Sequence, residues 1–297
     1  MSTFSQLTDQ VLTQLYGYTT LQDQATYLTA SAASTSLTMT VNDITAISRG
    51  VIEIGDELVW VDSFDSSTKV LTIPPYGRGF RGTTAAAHNP GERVVSSPMF
   101  PRNIVKNTIN QAILSSYPDL FGIDETFFNY QPAINTYSLP AGALDVISVS
   151  WQTTGPSKEW MPVRRWRVDK QAATSVFTSG VSVSIYDMIV PGRSIKIVYT
   201  KQPSSLVNDS DDFNTVTGLP TSAEDVIMFG AAYRLTPYFD SAKLNGQSAA
   251  ADFNDRQGQS NTASTLSRFL LQMYQVRLAE ETRRLQSLFP IRSHYTR

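Results

Sequence analysis

Apolar residues switch repeatedly between helical spacing and alternate spacing along this chain of 297 residues, and that switching limits the folds available to it. Helical spacing marks residues 4–16, 101–116, 222–238 and 263–288, while alternate spacing fills two blocks between them. The strands come in blocks and do not alternate one by one with helices, which argues against a doubly wound parallel sheet. We therefore predict an α+β fold, in which a helical hub of about four helices, the last one long, carries two inserted antiparallel β modules.

Each β block contains several short segments in which apolar and polar residues alternate, as they do in half-buried strands. The first block predicts strands at residues 37–41, 51–54, 58–61 and 70–73. The second block predicts strands at residues 147–151, 160–168, 183–190 and 195–199. Runs of short strands like these are typical of small barrels or sandwiches.

The same changes in spacing place the boundaries between successive parts of the chain. We expect an N-terminal hub helix in residues 1–29, a small β-barrel or sandwich in 30–98 and a hub helix in 99–125. A second β module follows in residues 126–210, and the C-terminal hub helices with a terminal tail occupy 211–297.

Composition excludes several functional classes. The formal net charge is −2, so the whole chain has no general attraction to nucleic acid or to anionic membranes. A mean hydropathy of −0.17 and the lack of a long apolar run predict no membrane segment, and the first residues do not have the pattern of a signal peptide. Cysteine is absent, which excludes disulfides and thiolate metal sites. Only 17% of residues are charged, which is low for a free globular protein. Such a composition suits a protein whose surface is partly covered by neighbouring subunits.

Helix signals return in the C-terminal part of the chain. Thr221 and Glu224 have the spacing of a capping box, with Pro220 just before them. Residues 240–261 are rich in Ala, Gln, Asn and Gly, and we interpret them as a long loop.

The last predicted helix changes character along its length. Its first half carries an apolar stripe at helical spacing, made of Ala263, Leu266, Leu270, Tyr274 and Leu278. Its second half offers opposite charges four residues apart, from Arg277 to Glu281 and from Glu280 to Arg284. We therefore expect the first half to pack against the protein and the second half to project from it.

The chain end is basic and aromatic, since no acidic residue follows Glu281. The candidate docking residues in this end are Arg283, Arg284, Phe289, Pro290, Arg292, Tyr295 and Arg297. Two interpretations stay open at this point: a tail that docks onto a partner, or an ordinary frayed terminus.

A second basic cluster, Arg164-Arg165-Trp166-Arg167, lies in the predicted strand 160–168. On a strand, Arg165 and Arg167 would share one face, and Arg164 and Trp166 the other. This cluster could contact DNA through phosphates and ring stacking, or it could form salt bridges with a neighbouring subunit.

The remaining motifs give little support for a cofactor, metal or catalytic site. Residues 77–82 match the G-x-G-x-x-G pattern, but Pro74 and Pro75 precede the glycines and Asn89-Pro90-Gly91 stops any long helix after them. The chain has two histidines, and the aspartates at 209, 211 and 212 lack the glycine of a calcium loop. We therefore expect a glycine turn series at 77–82, and no cofactor, metal or catalytic residues.

Residues 54–92 carry a spaced pattern of glycines, charges and one histidine. The pattern reads Ile54-Gly55-Asp56-Glu57, then Val70-Leu71-Thr72-Ile73, then Arg78-Gly79-Phe80-Arg81-Gly82-Thr83-Thr84-Ala85-Ala86-Ala87-His88-Asn89-Pro90-Gly91-Glu92. It resembles a module that recurs in virion proteins of tailed bacteriophages, although here residues 74–77 are inserted before Arg78.

The rest of the chain resembles, more loosely, the head-to-tail adaptor (connector) proteins of the phage neck. The similarity lies in a helix that begins near Phe100-Pro101-Arg102, in the strand entry at 137–149 and in the late helices. It implies a ring, expected to be a dodecamer, that sits beneath the portal, connects the capsid to the tail and surrounds the DNA channel.

The resemblance also implies partners and a location. These are the portal ring, reached by the C-terminal segment, the neck and tail proteins below, and further copies of the chain. DNA would pass through the lumen without sequence-specific binding, and a mildly acidic chain suits such a channel. The protein would reside at the virion neck after assembly in the bacterial cytoplasm, and it would have no enzymatic activity.

Two alternatives remain from the sequence. The protein could be a structural or host-binding component of the tail tip or baseplate. It could also be a virion enzyme that degrades polysaccharide.

Overall fold

The computed structural model describes residues 2–18, 23–154, 158–238 and 253–290, with side chains from residue 265 onward in the last of these ranges. Within them it contains five α-helices and four antiparallel sheets. This confirms the predicted α+β fold and the long C-terminal helix.

The chain divides into two compact units. The N-terminal unit consists of Gln6–Ile109 and Met228–Leu271. The C-terminal unit consists of Met1–Ser5, Asn110–Ile227 and Gln272–Arg297. Each unit contains one of the two β modules.

The first β module has seven strands in two sheets. Its strands are β1 (Gln24–Tyr27), β2 (Thr38–Thr40), β3 (Gly50–Ile54), β4 (Glu57–Val61), β5 (Ser63–Asp65), β6 (Val70–Thr72) and β7 (Arg93–Ser96). The sheet orders are β1-β7-β3-β4 and β2-β6-β5, and every pairing is antiparallel. Ile52, Val59 and Leu71 are buried in its core. Met39 and Val41 of the alternating segment 37–41 lie in the same core, whereas Leu37 is 42% exposed.

The second β module is built in the same way. Its strands are β8 (Gly122–Asn129), β9 (Thr136–Ser138), β10 (Ala143–Gln152), β11 (Trp160–Pro162), β12 (Trp166–Asp169), β13 (Ser182–Ile185) and β14 (Ser194–Lys201). The sheet orders are β11-β10-β14-β8 and β12-β13-β9. Val149, Val183 and Ile197 lie in its core.

Two strand predictions in this module are wrong in extent. The predicted strand 160–168 is broken at residues 163–165, and the predicted strand 183–190 ends at Ile185. The break at residues 163–165 has a visible cause, because the Asp187 carboxylate accepts hydrogen bonds from the backbone N–H groups of Arg164 and Arg165. Those N–H groups therefore bond a side chain instead of a neighbouring strand.

The helices are α1 (Phe4–Tyr16), α2 (Arg102–Ser115), α3 (Phe213–Thr217), α4 (Glu224–Leu235) and α5 (Phe253–Leu288). Helix α5 begins ten residues before the predicted start at 263, and residues 253–261 are helical instead of the predicted loop. Adding a residue to an existing helix costs much less than starting a new one, so polar residues and Gly258 can extend α5. The rest of the predicted loop, 240–252, lies outside the described residues.

The N-terminal unit contains most of α1 and the first part of α2, up to Ile109, together with the first β module. Leu7, Val11 and Leu15 form the buried face of α1. The carboxylate of Glu53 on β3 accepts the backbone N–H of Arg102 at 2.6 Å, and so caps the first turn of α2. Burial raises the pKa of Glu53 to about 7, although the Arg102 N–H opposes the shift.

The capping box expected before α4 does not form. Residues Thr221–Ala223 form a 3₁₀ turn, with no side-chain cap. Glu224 accepts the backbone N–H of Ser2 at 3.2 Å and its hydroxyl at 2.7 Å. The carboxylate is therefore bonded to the N-terminal segment of the C-terminal unit and not to its own helix start.

Each helix in the described part of the chain is too short or too polar to span a membrane.

Candidate docking site at the end of the terminal helix

The packed stripe of α5 is longer than the sequence predicts. Leu270 and Tyr274 are buried as expected, and Glu281 and Leu285 are also buried. The expectation that the second half of the helix projects is therefore wrong as far as Leu285. The side chain of Leu288, one turn later, is 62% exposed.

Glu281 anchors this part of α5 within the C-terminal unit. Its carboxylate accepts the Ser222 hydroxyl at 2.8 Å. Arg277 and Arg284 lie 3.6 and 3.7 Å from its other oxygen. A buried carboxylate needs hydrogen-bond or charge partners to be stable. Because Glu281 has them, it holds this part of α5 in place and is not a solvent-exposed surface residue.

The residues that follow the anchor lie between two clefts of the C-terminal unit. Leu288 and Phe289 line both of them. The narrow cleft, of about 200 Å³, is also lined by Phe121, Pro220 and Leu285. It gives the end of α5 an apolar support on one side.

The wide cleft, of about 640 Å³, lies against the second β module. Its apolar wall includes Ile147, Val149, Pro162, Val163, Trp166 and Pro290. Arg164 also lines it, so part of the predicted basic cluster and part of the predicted docking tail meet at one cleft.

The structure places four of the seven candidate docking residues. Arg283 and Arg284 are exposed on α5, Pro290 is exposed, and Phe289 is half-buried with its N–H still donated to the Leu285 carbonyl. The other three candidates, Arg292, Tyr295 and Arg297, lie outside the described residues.

The basic cluster is not one continuous aromatic and basic surface. Arg164, Arg165 and Arg167 are exposed, but Trp166 is buried at 6% exposure in the core of the second β module. Its ring is therefore not available for stacking on a base. Arg165 donates its Nε–H to Asp187 at 3.0 Å, so one of the three guanidinium groups already has a carboxylate partner.

Tyr186, Met188 and Val190 lie within the predicted strand 183–190, and the sequence analysis did not mark them as surface residues. Their side chains are 50%, 101% and 55% exposed. We call these three residues the apolar knob. The signal that could have located it is Pro191-Gly192 directly after the knob, which ends any strand there.

The phage-like pattern of residues 54–92 forms a buried ionic network in the first β module. Arg78 binds both carboxylate oxygens of Glu57, at 2.7 and 2.9 Å. His88 contacts Glu57 at 2.9 Å and Glu92 at 2.8 Å. The Glu57 carboxylate also accepts the backbone N–H groups of Gly79 and Ala86. Glu57, Arg78, His88 and Glu92 of the pattern therefore join loops of this module.

These contacts shift the titration of the network. Burial acts to raise the pKa of Glu57, but hydrogen bonds from Arg78 and His88 outweigh it and hold that pKa well below its usual range. The hydrogen bond to Glu57 raises the pKa of His88, against the effect of burial. Both shifts favour the charged pair.

The glycines of residues 77–82 allow a tight turn, as expected. Gly79 and Gly82 have positive φ angles, and a Cβ at Gly77 would lie 2.7 Å from the Trp60 carbonyl oxygen. Arg81 also has a positive φ of 54° and is exposed.

The acidic residues after position 208 satisfy backbone groups. Asp211 accepts the N–H groups of Val207 and Asn208, and Asp212 caps α3 through Thr215. Within the described part of the chain, no group of three or more His, Asp or Glu side chains is arranged to hold a metal ion.

Comparison with curated proteins finds no significant match. The model of the SU10 adaptor protein family matches residues 99–276, from just before α2 to within α5. The match spans more than half of the chain and confirms the expectation of a phage adaptor protein. The phage-like pattern at 54–92 lies outside the matched residues and is a separate observation. The chain therefore belongs to the SU10 adaptor protein family, a family of phage adaptor proteins.

Proposed function

We propose that this protein is a head-to-tail adaptor, which forms a ring beneath the portal, connects the capsid to the tail and surrounds the DNA channel. In this proposal the ring is a dodecamer, the portal ring lies above it, and neck or tail proteins lie below. Membership of a phage adaptor family supports the assignment, and it makes the protein a component of the virion.

The observation that carries the proposal is the way in which α5 ends. Glu281 and Leu285 are buried and fix the helix, while Arg283, Arg284, Leu288 and Pro290 beside them are exposed. Exposed apolar and basic side chains on a fixed support are suited to docking, because little conformational freedom is lost in the support when a partner binds. The portal is the proposed partner of Arg283, Arg284, Phe289, Pro290, Arg292, Tyr295 and Arg297.

Charge is consistent with a channel through which DNA moves. Each phosphate that a protein neutralises adds salt-dependent affinity, and strong affinity would slow passage. The formal net charge of −2 avoids a general attraction of this kind. The proposed role is structural, without a catalytic step, and turnover of host capsular polysaccharide in a reducing-end assay would contradict it.

Co-sedimentation with purified portal rings tests the docking. Removal of residues 291–297 leaves the buried Leu285 and Glu281 in place, and we expect this truncated chain to lose binding to the portal. Arg283→Ala with Arg284→Ala should weaken binding about tenfold or more, as loss of interface arginines commonly does.

The matched control is Arg49→Ala with Lys170→Ala, which removes the same charge from exposed positions elsewhere. It should bind as the unchanged protein does. If the truncated chain docks normally, the proposed role of the tail is wrong.

A further inference from the structure

The ring of His88 lies between two carboxylates in the first β module. Its Nε2 atom is 2.9 Å from an oxygen of Glu57, and its Nδ1 atom is 2.8 Å from an oxygen of Glu92. Both distances are those of direct hydrogen bonds. We call this contact of one ring with two acids the histidine bridge.

The Glu57 carboxylate can only accept hydrogen bonds. Its two oxygens already receive two hydrogen bonds from Arg78 and one each from the backbone N–H groups of Gly79 and Ala86. Four donors point at an acid whose side chain is 0% exposed, so this acid is ionised. The ring atom that faces it, Nε2 of His88, must therefore donate a hydrogen.

The Glu92 carboxylate is an acceptor as well. Its second oxygen receives the backbone N–H of Asn89 at 2.8 Å, and its side chain is 35% exposed. Burial acts to raise the pKa of Glu92, but the hydrogen bonds from Asn89 and His88 outweigh it and lower that pKa below 4.5, so the group is ionised at neutral pH. Nδ1 of His88 must therefore also donate a hydrogen.

A histidine with hydrogens on both ring nitrogens carries a positive charge, since the neutral ring has one N–H. The charged groups around His88 are Glu57 on β4, Glu92 just before β7, and Arg78 on the other side of Glu57. With His88 charged, two acids face two bases. A neutral ring would instead point one nitrogen lone pair at a carboxylate oxygen. The hydrogen bond to Glu57 accordingly raises the pKa of His88, against the effect of burial.

We propose that the histidine bridge is a pH-sensitive switch, which closes the turn of residues 88–92 while His88 is charged and opens it when the ring loses one proton. The proton that leaves to solvent is the one on Nδ1. Glu92 is partly exposed and can turn toward water, whereas Glu57 is held by Arg78, which stays protonated. When Glu92 turns away, it also releases the N–H of Asn89.

The opening is local, because backbone contacts hold both ends of the turn. The N–H of His88 is donated to the Ala32 carbonyl at 2.8 Å, and the Ala32 N–H to the His88 carbonyl at 2.9 Å. The N–H of Gly91 is donated to the Leu28 carbonyl at 2.7 Å. Backbone amides do not titrate in this range, so these contacts remain when the ring is neutral.

Nitrogen-15 NMR of the His88 ring tests its charge. The chain has two histidines, so His294→Gln leaves the ring signals of His88 alone. The charged ring and the two neutral tautomers differ in their ring nitrogen shifts. We expect hydrogens on both nitrogens at about pH 7.5, where an ordinary histidine with a pKa of 6.5 is mostly neutral, and the Nε2–H tautomer at higher pH. A ring that is half neutral at pH 6.5, or that becomes the Nδ1–H tautomer, would overturn the proposal.

Hydrogen exchange of the Asn89 amide in the same chain tests the opening. After correction for the intrinsic effect of pH on exchange, its protection should fall about tenfold or more as His88 becomes neutral, because a hydrogen bond to a charged group is lost. The Gly79 amide is the internal control, since it is bonded to Glu57 and should stay protected. If the protection of Asn89 does not fall with the titration of His88, or if His88 stays charged until the whole protein unfolds, the switch is wrong.

Glu92→Gln shows whether the bridge sets the charge of the ring. The variant keeps a polar side chain of the same length without its charge, so His88 should lose its proton at a pH about one unit lower. Asp62→Asn is the matched control, because it removes a partly exposed acid of the same module and should leave the titration of His88 unchanged. Equal titration of His88 in Glu92→Gln and in the control would contradict the proposed bridge.

Discussion

Arg78 donates two parallel hydrogen bonds to the carboxylate of Glu57, at 2.7 and 2.9 Å, and the two side chains are only 6% and 0% exposed. The remaining donors of Arg78 bond the carbonyl oxygens of Ala33, Ser36 and Ala86. One buried ion pair therefore ties three loops of the first β module together. This explains why a glutamate and an arginine occur in the phage-like pattern.

We predict that Arg78→Ala strongly destabilises the protein, because it leaves the Glu57 carboxylate buried without its main partner. The expected loss in the free energy of unfolding is about 3–5 kcal/mol. Urea denaturation followed by circular dichroism would measure it. Arg49→Ala is the control, since Arg49 and Asp62 form an exposed pair and its loss should cost about 1 kcal/mol or less.

Acid should weaken the same network. The folded-state pKa of Glu57 lies below its ordinary value of 4.5, so its stabilising contribution is full above that value and is lost as the pH falls through and below it. Glu57→Gln removes this titration. The difference in unfolding free energy between the unchanged protein and Glu57→Gln should therefore shrink from about pH 5 to about pH 3. A difference that stays constant over this range would show that Glu57 does not titrate in this way.

Glu53 should behave in the opposite sense. Burial raises the pKa of Glu53 from 4.5 to about 7, so the folded state binds this proton more tightly than the unfolded state does. As the pH rises from about 4.5 to about 7, the carboxyl group must ionise in a buried site, and the free energy of unfolding falls. Glu53→Gln stays neutral and can still accept the Arg102 N–H. We expect this variant to gain about 1–3 kcal/mol relative to the unchanged protein between about pH 5 and about pH 8. Thermal unfolding at the two pH values would detect the gain, and Asp62→Asn, at an exposed acid, should show none.

Removal of the α5 anchor should loosen the candidate docking site. Glu281→Ala removes the acceptor of the Ser222 hydroxyl and the carboxylate that faces Arg284, with an expected cost of about 1.5–3 kcal/mol. Hydrogen exchange of residues 278–289 should become faster. Glu280→Ala is the matched control, because that carboxylate is 54% exposed and its loss should leave exchange nearly unchanged. Equal exchange in the two variants would mean that Glu281 does not hold the helix.

The periodicity of the sequence was sufficient to locate most elements of the fold. Helix α1 ends where Gly17 follows it, and the alternation at residues 147–151 marks a strand that the structure contains, within Ala143–Gln152. In these cases the deciding information is local, since spacing and breakers act within a few residues.

Errors arose where a distant side chain decides the local structure. The charge spacing around Glu281 predicts an exposed helix face. In the structure, however, Glu281 is buried and accepts the hydroxyl of Ser222, 59 residues earlier. Trp166 was assigned to the same face as Arg164, but Asp187 breaks the strand and the indole enters the core. The sequence identified Glu57 and Arg78 as parts of a pattern, but their pairing across 21 residues required the structure.

Negative-stain imaging of portal rings with and without the full chain tests the central claim most directly. The adaptor account predicts an additional ring of density on one face of the portal, centred on its channel and absent when the chain ends at Pro290. Bare portal rings beside single, unassembled copies of this protein would contradict the account.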